Sequence, residues 1–440
     1  MTIYSNEDKS RVSADLVLQK VAWRLVPLLV AAYCASYLDR VNIGFAATEM
    51  NRDLGLSPAA YGWGAGIFFI GYALFETPSN YIMHFVGARR WIARIMVSWG
   101  LASALMAFAW DEKSFVTFRF LLGVSEAGFM PGIILYLTYW IPRERRAKIL
   151  AAFLFAVPLA TVIGAPLSSA ILSLSDGLGG HKGWQWLFMV QAVPPILLGV
   201  ITFFHLTDRP EDATWLRPEE RQWLTSALAQ EQGDSHQQDE RFDWSTLVDP
   251  VTLTLGVAYS GLVLSLYGLT LWLPQIVNGF GLGGVAGGFV TAIPFVFASV
   301  GMLYWSRRSD RAGERVFHTV GAAALAAAGL LAVAVVKSHI ASIGVLSVVA
   351  TATLAAMPTF WAFATTTLTG ARAAVAIALI NSIGNLAGFG GPYLVGWVKQ
   401  TTGSFSLALA ALSLGPLLCA LIITALGRRA LNPPKLSYSN

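Results

Sequence analysis

Apolar runs of about twenty residues recur along this chain, and they constrain its fold more than any other feature. A helix needs about 20 mostly apolar residues to cross the hydrocarbon core of a bilayer. The chain of 440 residues is 55% hydrophobic and only 12% charged, whereas soluble domains are about 25% charged. Runs of this kind lie near residues 23–47, 61–84, 91–110, 114–140, 147–173, 185–206, 251–280, 285–306, 316–337, 340–366, 372–398 and 403–427. The sequence therefore predicts an all-α membrane protein with twelve transmembrane helices in two pseudo-symmetric six-helix bundles.

A polar stretch between the sixth and seventh runs divides the chain. The predicted parts are an N-terminal tail at 1–22, a first bundle at 23–206, a linker at 207–250, a second bundle at 251–427 and a tail at 428–440. Within the linker, Pro218 followed by Glu219 and Glu220 predicts a short amphipathic helix. We interpret the linker as a solvated tether, and a regulatory surface is the alternative.

The lysines and arginines are unevenly distributed between the two sets of loops. If the N-terminus is cytoplasmic, two of the 30, Arg40 and Arg119, lie deep in the membrane, and most of the others lie in or next to the inner loops. Those on the outer side are Arg52, Lys113, Lys182, Lys337 and Lys399. Because cytoplasmic loops carry an excess of positive residues, the pattern predicts cytoplasmic termini in a bacterial inner membrane. Charges scattered in this way do not indicate a nucleic-acid partner.

The first and fourth predicted spans each carry two charged residues in their interiors. Asp39 and Arg40 lie in the first span, and Arg119 and Glu126 lie in the fourth. A first span restricted to residues 23–37 would be about 22 Å long, which is too short to cross about 30 Å of hydrocarbon. The helix must therefore continue through Asp39 and Arg40. Ionisable groups in the membrane are costly and mark a pathway or a site by default.

Helical spacing predicts how three of these charges cooperate. Arg119 and Glu126 are seven residues apart, hence on nearly one face, and Gly123 between them leaves room for the arginine to reach along the helix. We expect Arg119 to be shared between Asp39 and Glu126. A carboxylate alone in low dielectric favours its protonated form, and one beside an arginine favours its charged form. Asp39, Glu126 and Arg119 are therefore the predicted proton-coupling residues, and a static ion pair is the alternative.

Arg40 is the predicted anion-binding residue. It follows Asp39 directly, so the two side chains point about 100° apart around the helix. A guanidinium can donate two parallel hydrogen bonds to a carboxylate, which suits an organic anion. The alternative is that Arg40 extends outward to headgroups or water.

Further polar side chains could contact a substrate. Asn381 and Asn385 lie one turn apart on the eleventh span and could bind hydroxyl or carboxylate oxygens, with hydrogen bonds between helices as the alternative. Tyr72 and Tyr267 are predicted to line the site, although each could equally serve packing. We therefore include all four as candidate substrate-binding residues.

Two matching loops carry a charged pattern. Residues 310–315 read Asp-Arg-Ala-Gly-Glu-Arg after the eighth run, and residues 84–90 read His-Phe-Val-Gly-Ala-Arg-Arg after the second. This pair resembles the loop signature of the major facilitator superfamily, complete in the second half and degraded in the first. The resemblance implies an inner gate formed by Asp310, Arg311, Arg315, Arg89 and Arg90.

Several longer segments resemble the anion:cation symporter family of that superfamily. They are residues 37–46 (YLDRVNIGFA), 75–80 (FETPSN), 87–91 (GARRW), 119–132 (RFLLGVSEAGFMPG) and 381–385 (NSIGN). The resemblance implies two six-helix bundles around a central site. It also implies transport of sugar acids, hydroxy-dicarboxylates or aromatic carboxylates, mostly with protons. The residues that match its proton and substrate site are Asp39, Arg40, Arg119, Glu126 and Asn385.

The sequence predicts a transporter rather than an enzyme, because it shows no catalytic, phosphate-binding or metal-binding pattern. We expect proton-coupled uptake of a small organic anion by alternating access, driven by the proton gradient without a cofactor. The expected partners are the anion, protons and the lipid bilayer, and the protein is expected to act as a monomer. The alternatives are an exporter or antiporter of amphipathic compounds, and a non-transporting nutrient sensor.

Overall fold

The computed structural model describes residues 6–235, 248–368 and 372–431. Within these ranges the regular secondary structure is helical, and no strand is present. The helices are α1 (Asn6–Leu54), α2 (Pro58–Val86), α3 (Ala88–Leu105), α4 (Glu112–Glu126), α5 (Phe129–Thr138), α6 (Arg143–Ser175), α7 (Gly183–His205), α8 (Pro218–Ser235), α9 (Pro250–Gly279), α10 (Gly284–Ala312), α11 (Val316–Val333), α12 (His339–Thr367), α13 (Arg372–Thr402), α14 (Phe405–Leu412) and α15 (Leu414–Leu431).

The predicted twelve spans are confirmed, because the described residues contain 12 helices that are long and apolar enough to cross a membrane. The fourth span is formed by α4 and α5 together, and the twelfth by α14 and α15. Helix α1 begins at Asn6, well before the predicted start of the first span at residue 23. Residues 6–22 of the predicted N-terminal tail are therefore a continuation of this helix.

The two halves, α1–α7 and α9–α15, meet along three helix pairs. Helix α1 packs on α9, α2 on α13 and α6 on α10. We call the side where α1 begins and α2 ends the proximal side, and the opposite side the distal side. The junction is therefore formed by the first, second and fifth spans of each half, with the second span of one half packed on the fifth span of the other.

Close contacts join the halves on the distal side. A Cβ atom at Gly62 would lie 2.5 Å from the carbonyl oxygen of Pro392, so α2 and α13 approach as closely as glycine allows. Nearby, the backbone N–H of Ala59 donates to Oε1 of Gln400 at 3.0 Å. Among the described residues, the hydrogen bonds between halves lie at mid-depth or on the distal side.

The first part of the linker packs on the first half. Lys20 pairs with Glu220 of α8 at 2.7 Å, and the ring of Trp215 stacks on Trp140 with centroids 5.5 Å apart. The guanidinium of Arg24 lies 4.8 Å from the Trp215 ring. Residues 207–235 thus lie against the proximal face of the first half. Residues 236–247 of the predicted linker, 1–5 of the first tail and 432–440 of the last lie outside the described residues.

Candidate functional site

A buried ion pair joins α1 to α4. Nε and Nη2 of Arg40 donate to Oε1 of Glu126 at 2.9 and 2.6 Å. The hydroxyl of Ser36, one turn before Arg40, donates to the same oxygen at 2.6 Å. The other oxygen, Oε2, is buried and has no hydrogen-bond partner in the described residues. Three donors therefore converge on one carboxylate oxygen, and the second oxygen is free to accept a proton.

Arg40 also reaches the second half. Its Nη1 donates to the hydroxyl of Tyr267 on α9 at 3.3 Å, and its guanidinium lies 5.0 Å from the Tyr72 ring and 5.4 Å from the Phe68 ring on α2. The side chain of Glu126 is 0% exposed, whereas that of Arg40 is 11% exposed. Because the surroundings are apolar, the attraction between the two charges is stronger than in water. Of the pair, the arginine is therefore the member that an incoming anion could contact.

The fourth span is interrupted at Glu126. Helix α4 ends at this residue, Ala127 is extended with ψ 133°, and Gly128 has φ 83°, which favours glycine. A Cβ atom at Gly128 would also lie 2.5 Å from Oγ of Ser79. Interrupted helices are a common way for transporters to build sites near the middle of the membrane. The break places the carboxylate at the junction of two separate helical segments.

Asp39 faces the interior of the first half. Its Oδ1 accepts hydrogen bonds from the Ser103 hydroxyl of α3 and from Nδ2 of Asn42, the latter at 3.0 Å. Its Oδ2 is buried without a hydrogen-bond partner among the described residues. Asp39 and Arg40 therefore point to different partners, in agreement with their predicted angular offset.

Arg119 does not make the predicted contacts. Its side chain is fully buried, and Nη2 donates to the backbone carbonyl of Ala65 at 3.2 Å. In the described part of the chain, Nε and Nη1 have no hydrogen-bond partner, and Arg119 forms a salt bridge with neither Asp39 nor Glu126. The guanidinium lies 5.1 Å from the ring of Phe68. The prediction that Arg119 is shared between the two carboxylates is wrong for this conformation, and its role in proton coupling stays a prediction.

The position of Gly123 explains this difference. A Cβ atom at Gly123 would lie 2.1 Å from the carbonyl oxygen of Phe68, so the backbone of α2 fills the space beside this glycine. The space beside Gly123 is therefore not available to the side chain of Arg119, which cannot extend along α4 toward Glu126. Gly123 serves the close packing of α2 on α4 instead.

Of the other predicted substrate residues, Tyr72, Tyr267 and Asn385 contact Arg40 or Glu76, and Asn381 does not in the part of the chain that the structure describes. Nδ2 of Asn385 lies 3.5 Å from Oε2 of Glu76, and this contact connects α13 to α2. Asn381 makes no hydrogen bond within the described ranges. Tyr72 and Tyr267 both contact Arg40, and Glu76 is one turn from Tyr72.

Sequence reasoning did not place three residues in this site: Ser36, Phe68 and Glu76. Their spacing from predicted site residues could have identified them. Ser36 precedes Arg40 by four residues, while Phe68 and Glu76 lie four residues on either side of Tyr72. Residues four apart share a helix face, so each belongs to the face of a predicted site residue.

The predicted inner gate is Asp310, Arg311, Arg315, Arg89 and Arg90. Nη1 of Arg315 lies 2.6 Å from Oδ1 of Asp310. Asp310 lies in the last turn of α10, and Arg315 directly precedes α11. The backbone N–H of Arg89 donates to Oδ1 of Asp208 in the linker at 2.8 Å. Arg90 and Arg311 make no ion pair in the described residues. Neither of the two contacts given above connects the first half to the second. Their role as a gate therefore stays a prediction for a different conformation.

Two helical halves that enclose an ion pair at mid-depth define a polytopic membrane protein of the transporter type. A model of the Major Facilitator Superfamily matches residues 29–392 of this chain. The chain belongs to the major facilitator superfamily, whose members are transporters and not enzymes.

Individual transporters of this superfamily are similar to the chain over nearly its whole length. A candidate tartrate transporter of Agrobacterium vitis is 47% identical over 431 residues, which cover 97% of this chain and 95% of that protein. A quinolone resistance transporter of Acinetobacter baumannii is 40% identical over 409 residues, covering 93% and 94% of the two chains. The resemblance to organic anion transporters inferred from the sequence is confirmed.

Solved structures confirm the fold. An inward-facing, occupied bacterial homologue of the human lysosomal transporter Spinster superposes with a TM-score of 0.74 at 15% identity. The match covers 92% of this chain and 96% of that structure. At this identity the similarity supports the twelve-helix architecture alone.

Proposed function

We propose that this transporter is a symporter that carries a small organic anion into a bacterial cell together with protons. It works by alternating access in the inner membrane, with both termini in the cytoplasm, as a monomer and without a cofactor. The observation that carries the proposal is the Arg40–Glu126 pair, in which three donors share one carboxylate oxygen.

The anion specificity follows from Arg40. Its guanidinium donates two of its N–H groups to Glu126, and the same groups can bind a substrate carboxylate. Tyr267 of the second half is already within hydrogen-bond distance of Arg40. An anion bound to Arg40 would therefore contact both halves, so that binding is coupled to their relative movement.

The coupling to protons follows from competition for Arg40. A substrate carboxylate beside a charged Glu126 would place two negative groups against one cation in apolar surroundings. Protonation of the free Oε2 removes the charge of Glu126 and releases the guanidinium. Proton binding at Glu126 and anion binding at Arg40 thus favour each other, which is the thermodynamic requirement of symport.

The substrate class is a sugar acid, a hydroxy-dicarboxylate or an aromatic carboxylate. Tyr72, Tyr267 and Asn385 supply hydroxyl and amide groups near Arg40 and Glu76, which suits an acid with additional oxygens. The relative from Agrobacterium vitis is a candidate tartrate transporter, and tartrate has this chemistry. Tartrate is therefore the first substrate to test.

A second candidate function is export of amphipathic compounds in exchange for protons. It is favoured by the 40% identity to a quinolone resistance transporter over nearly the whole chain. An exporter of that kind does not need a buried arginine available to an anion. The two candidates differ in the sign of their response to a pH gradient.

Uptake into proteoliposomes tests the proposal. Purified protein is reconstituted, the exterior is made acidic relative to the lumen, and accumulation of labelled tartrate, a sugar acid and an aromatic acid is followed. We expect accumulation of at least one acid that stops when a protonophore collapses the gradient. Accumulation that ignores the protonophore would exclude proton symport, and quinolone movement against the proton flow would favour export.

A pair of arginine variants localises the anion site. Arg40→Ala is expected to abolish binding of the transported acid. The control is Arg94→Ala, which removes another arginine within a span whose guanidinium stacks on Trp91 at 3.8 Å. The control is expected to bind normally, and equal binding by both variants would remove Arg40 from the site.

A further inference from the structure

A groove of about 740 Å³ lies on the surface of the second half, between α10, α11 and α12. Small residues from all three helices form its floor, and a Cβ atom at Gly344 would have nothing within 4 Å. Its rim on α10 includes Phe297, Val300 and Tyr304, which are 59%, 67% and 62% exposed. Since these apolar side chains belong to a spanning helix, the groove opens toward the lipid.

A basic pocket continues the groove at its proximal end. This pocket of about 950 Å³ shares Val300 and Tyr304 with the groove and is also lined by Arg307, Arg308 and Arg311. All three arginines are exposed, and none of them forms a hydrogen bond or ion pair with a residue that the structure describes. Groove and pocket together form one surface that changes from apolar to cationic along α10.

The acidic residues near this pocket already have partners. Asp310 pairs with Arg315 at 2.6 Å. Glu314 lies 3.0 Å from Nδ1 of His318 and accepts a hydrogen bond from the backbone N–H of Phe317 at 2.7 Å. These carboxylates therefore leave the charge of the three arginines available to an external anion.

Along α10, the groove is about as long as one leaflet of a bilayer is thick. From Ile293 to Tyr304 the groove follows α10 for about 16 Å at 1.5 Å per residue. Half of the hydrocarbon core is about 15 Å thick. The arginines follow in the next two turns, at the depth of the headgroups. An acyl chain in the groove would thus place its phosphate beside them.

We propose that this surface is a binding site for an anionic phospholipid. One acyl chain lies in the groove between α10, α11 and α12, and the phosphate lies between Arg307, Arg308 and Arg311. Basic pockets between spanning helices on the cytoplasmic side bind anionic headgroups for this electrostatic reason. The site is independent of Arg40 and Glu126, so it stands whether or not the proposed symport is correct.

Native mass spectrometry of the purified protein tests the site. The protein is incubated in detergent with equimolar dioleoyl phosphatidylglycerol and dioleoyl phosphatidylcholine, which differ only in the headgroup. We expect wild-type protein to retain the anionic lipid preferentially. The double variant Arg307→Gln/Arg308→Gln should weaken this retention by roughly 30-fold, because each arginine contributes about 1 kcal/mol. The matched control Arg90→Gln/Arg217→Gln removes two other exposed arginines and should retain the wild-type preference.

A groove variant tests the acyl chain separately. Gly321→Leu places a side chain in the part of the groove nearest the arginines, where a Cβ atom would have only Cζ2 of Trp305 at 4.0 Å, and it leaves the three arginines untouched. We expect it to lose phosphatidylglycerol while it elutes as the wild type does in size-exclusion chromatography. An unchanged lipid preference in this variant or in the double-arginine variant would overturn the proposal. Displacement of the lipid by glycerol phosphate alone would also overturn it, since it would indicate a phosphate site without an acyl chain.

Discussion

The replacement Glu126→Gln is expected to separate anion binding from proton coupling. In the wild-type protein, Oε1 of Glu126 accepts two hydrogen bonds from Arg40, at 2.9 and 2.6 Å. A charged acceptor makes each bond worth about 1.5–3 kcal/mol, compared with about 0.5–1.5 kcal/mol for a neutral one. The variant therefore holds Arg40 less tightly by about 2–3 kcal/mol in total. The transported anion should bind roughly 30- to 150-fold more tightly at neutral pH.

Two measurements check this prediction. Calorimetric titration of the detergent-purified variant gives the anion Kd at pH 6 and pH 8, and the variant should bind equally at both values. Wild-type protein should bind more weakly at pH 8 than at pH 6, because the proposal links anion binding at Arg40 to proton binding, and protons are scarcer at pH 8. In proteoliposomes, the variant should lose accumulation driven by a pH gradient but retain counterflow exchange.

A glutamate elsewhere on α1 provides the control. Glu49→Gln makes the same chemical change nine residues beyond Arg40, about 14 Å along the helix, and should leave the pH dependence of binding intact. The reasoning is refuted if Glu126→Gln binds the anion no more tightly than the wild type. It is also refuted if its Kd still changes between pH 6 and pH 8.

Three further predictions concern the neighbouring positions. Arg40→Lys keeps the charge but loses the forked donor geometry, so the anion Kd measured by calorimetry should rise about tenfold; an unchanged Kd would contradict a two-point contact. Asp39→Asn keeps an oxygen for the Ser103 hydroxyl, so the protein should fold and exchange substrate but not accumulate it; accumulation at the wild-type level would remove Asp39 from proton coupling. Gly62→Leu places a side chain where a Cβ atom already lies 2.5 Å from the carbonyl oxygen of Pro392, so the distal side should not close. Maleimide should then label a cysteine at Gln400 faster than in wild type, and equal labelling would contradict this.

The sequence predicts the architecture well because the signal is local. Each span needs only a run of apolar residues, and all twelve spans are found in the described helices. The divergence of Asp39 and Arg40 is also local, since helical geometry alone separates adjacent side chains by about 100°.

The identity of the partner of Glu126 could not be predicted from spacing along one helix. Arg119 shares a helix with Glu126, but the backbone of α2 at Phe68 fills the space between them beside Gly123. The interruption at Gly128 then ends α4 at Glu126, where its carboxylate meets Arg40 of α1. Packing between helices decides both features, and a single sequence does not report it directly.

The most direct measurement of the central claim is the number of protons taken up when the anion binds. Calorimetric titration at pH 8 in buffers of different ionisation enthalpy gives this number for detergent-purified protein, with an acid that the uptake panel shows to be transported. The account predicts uptake of about one proton per anion by the wild type and none by Glu126→Gln. Binding without proton uptake by the wild type, or with equal uptake by the two proteins, would contradict it.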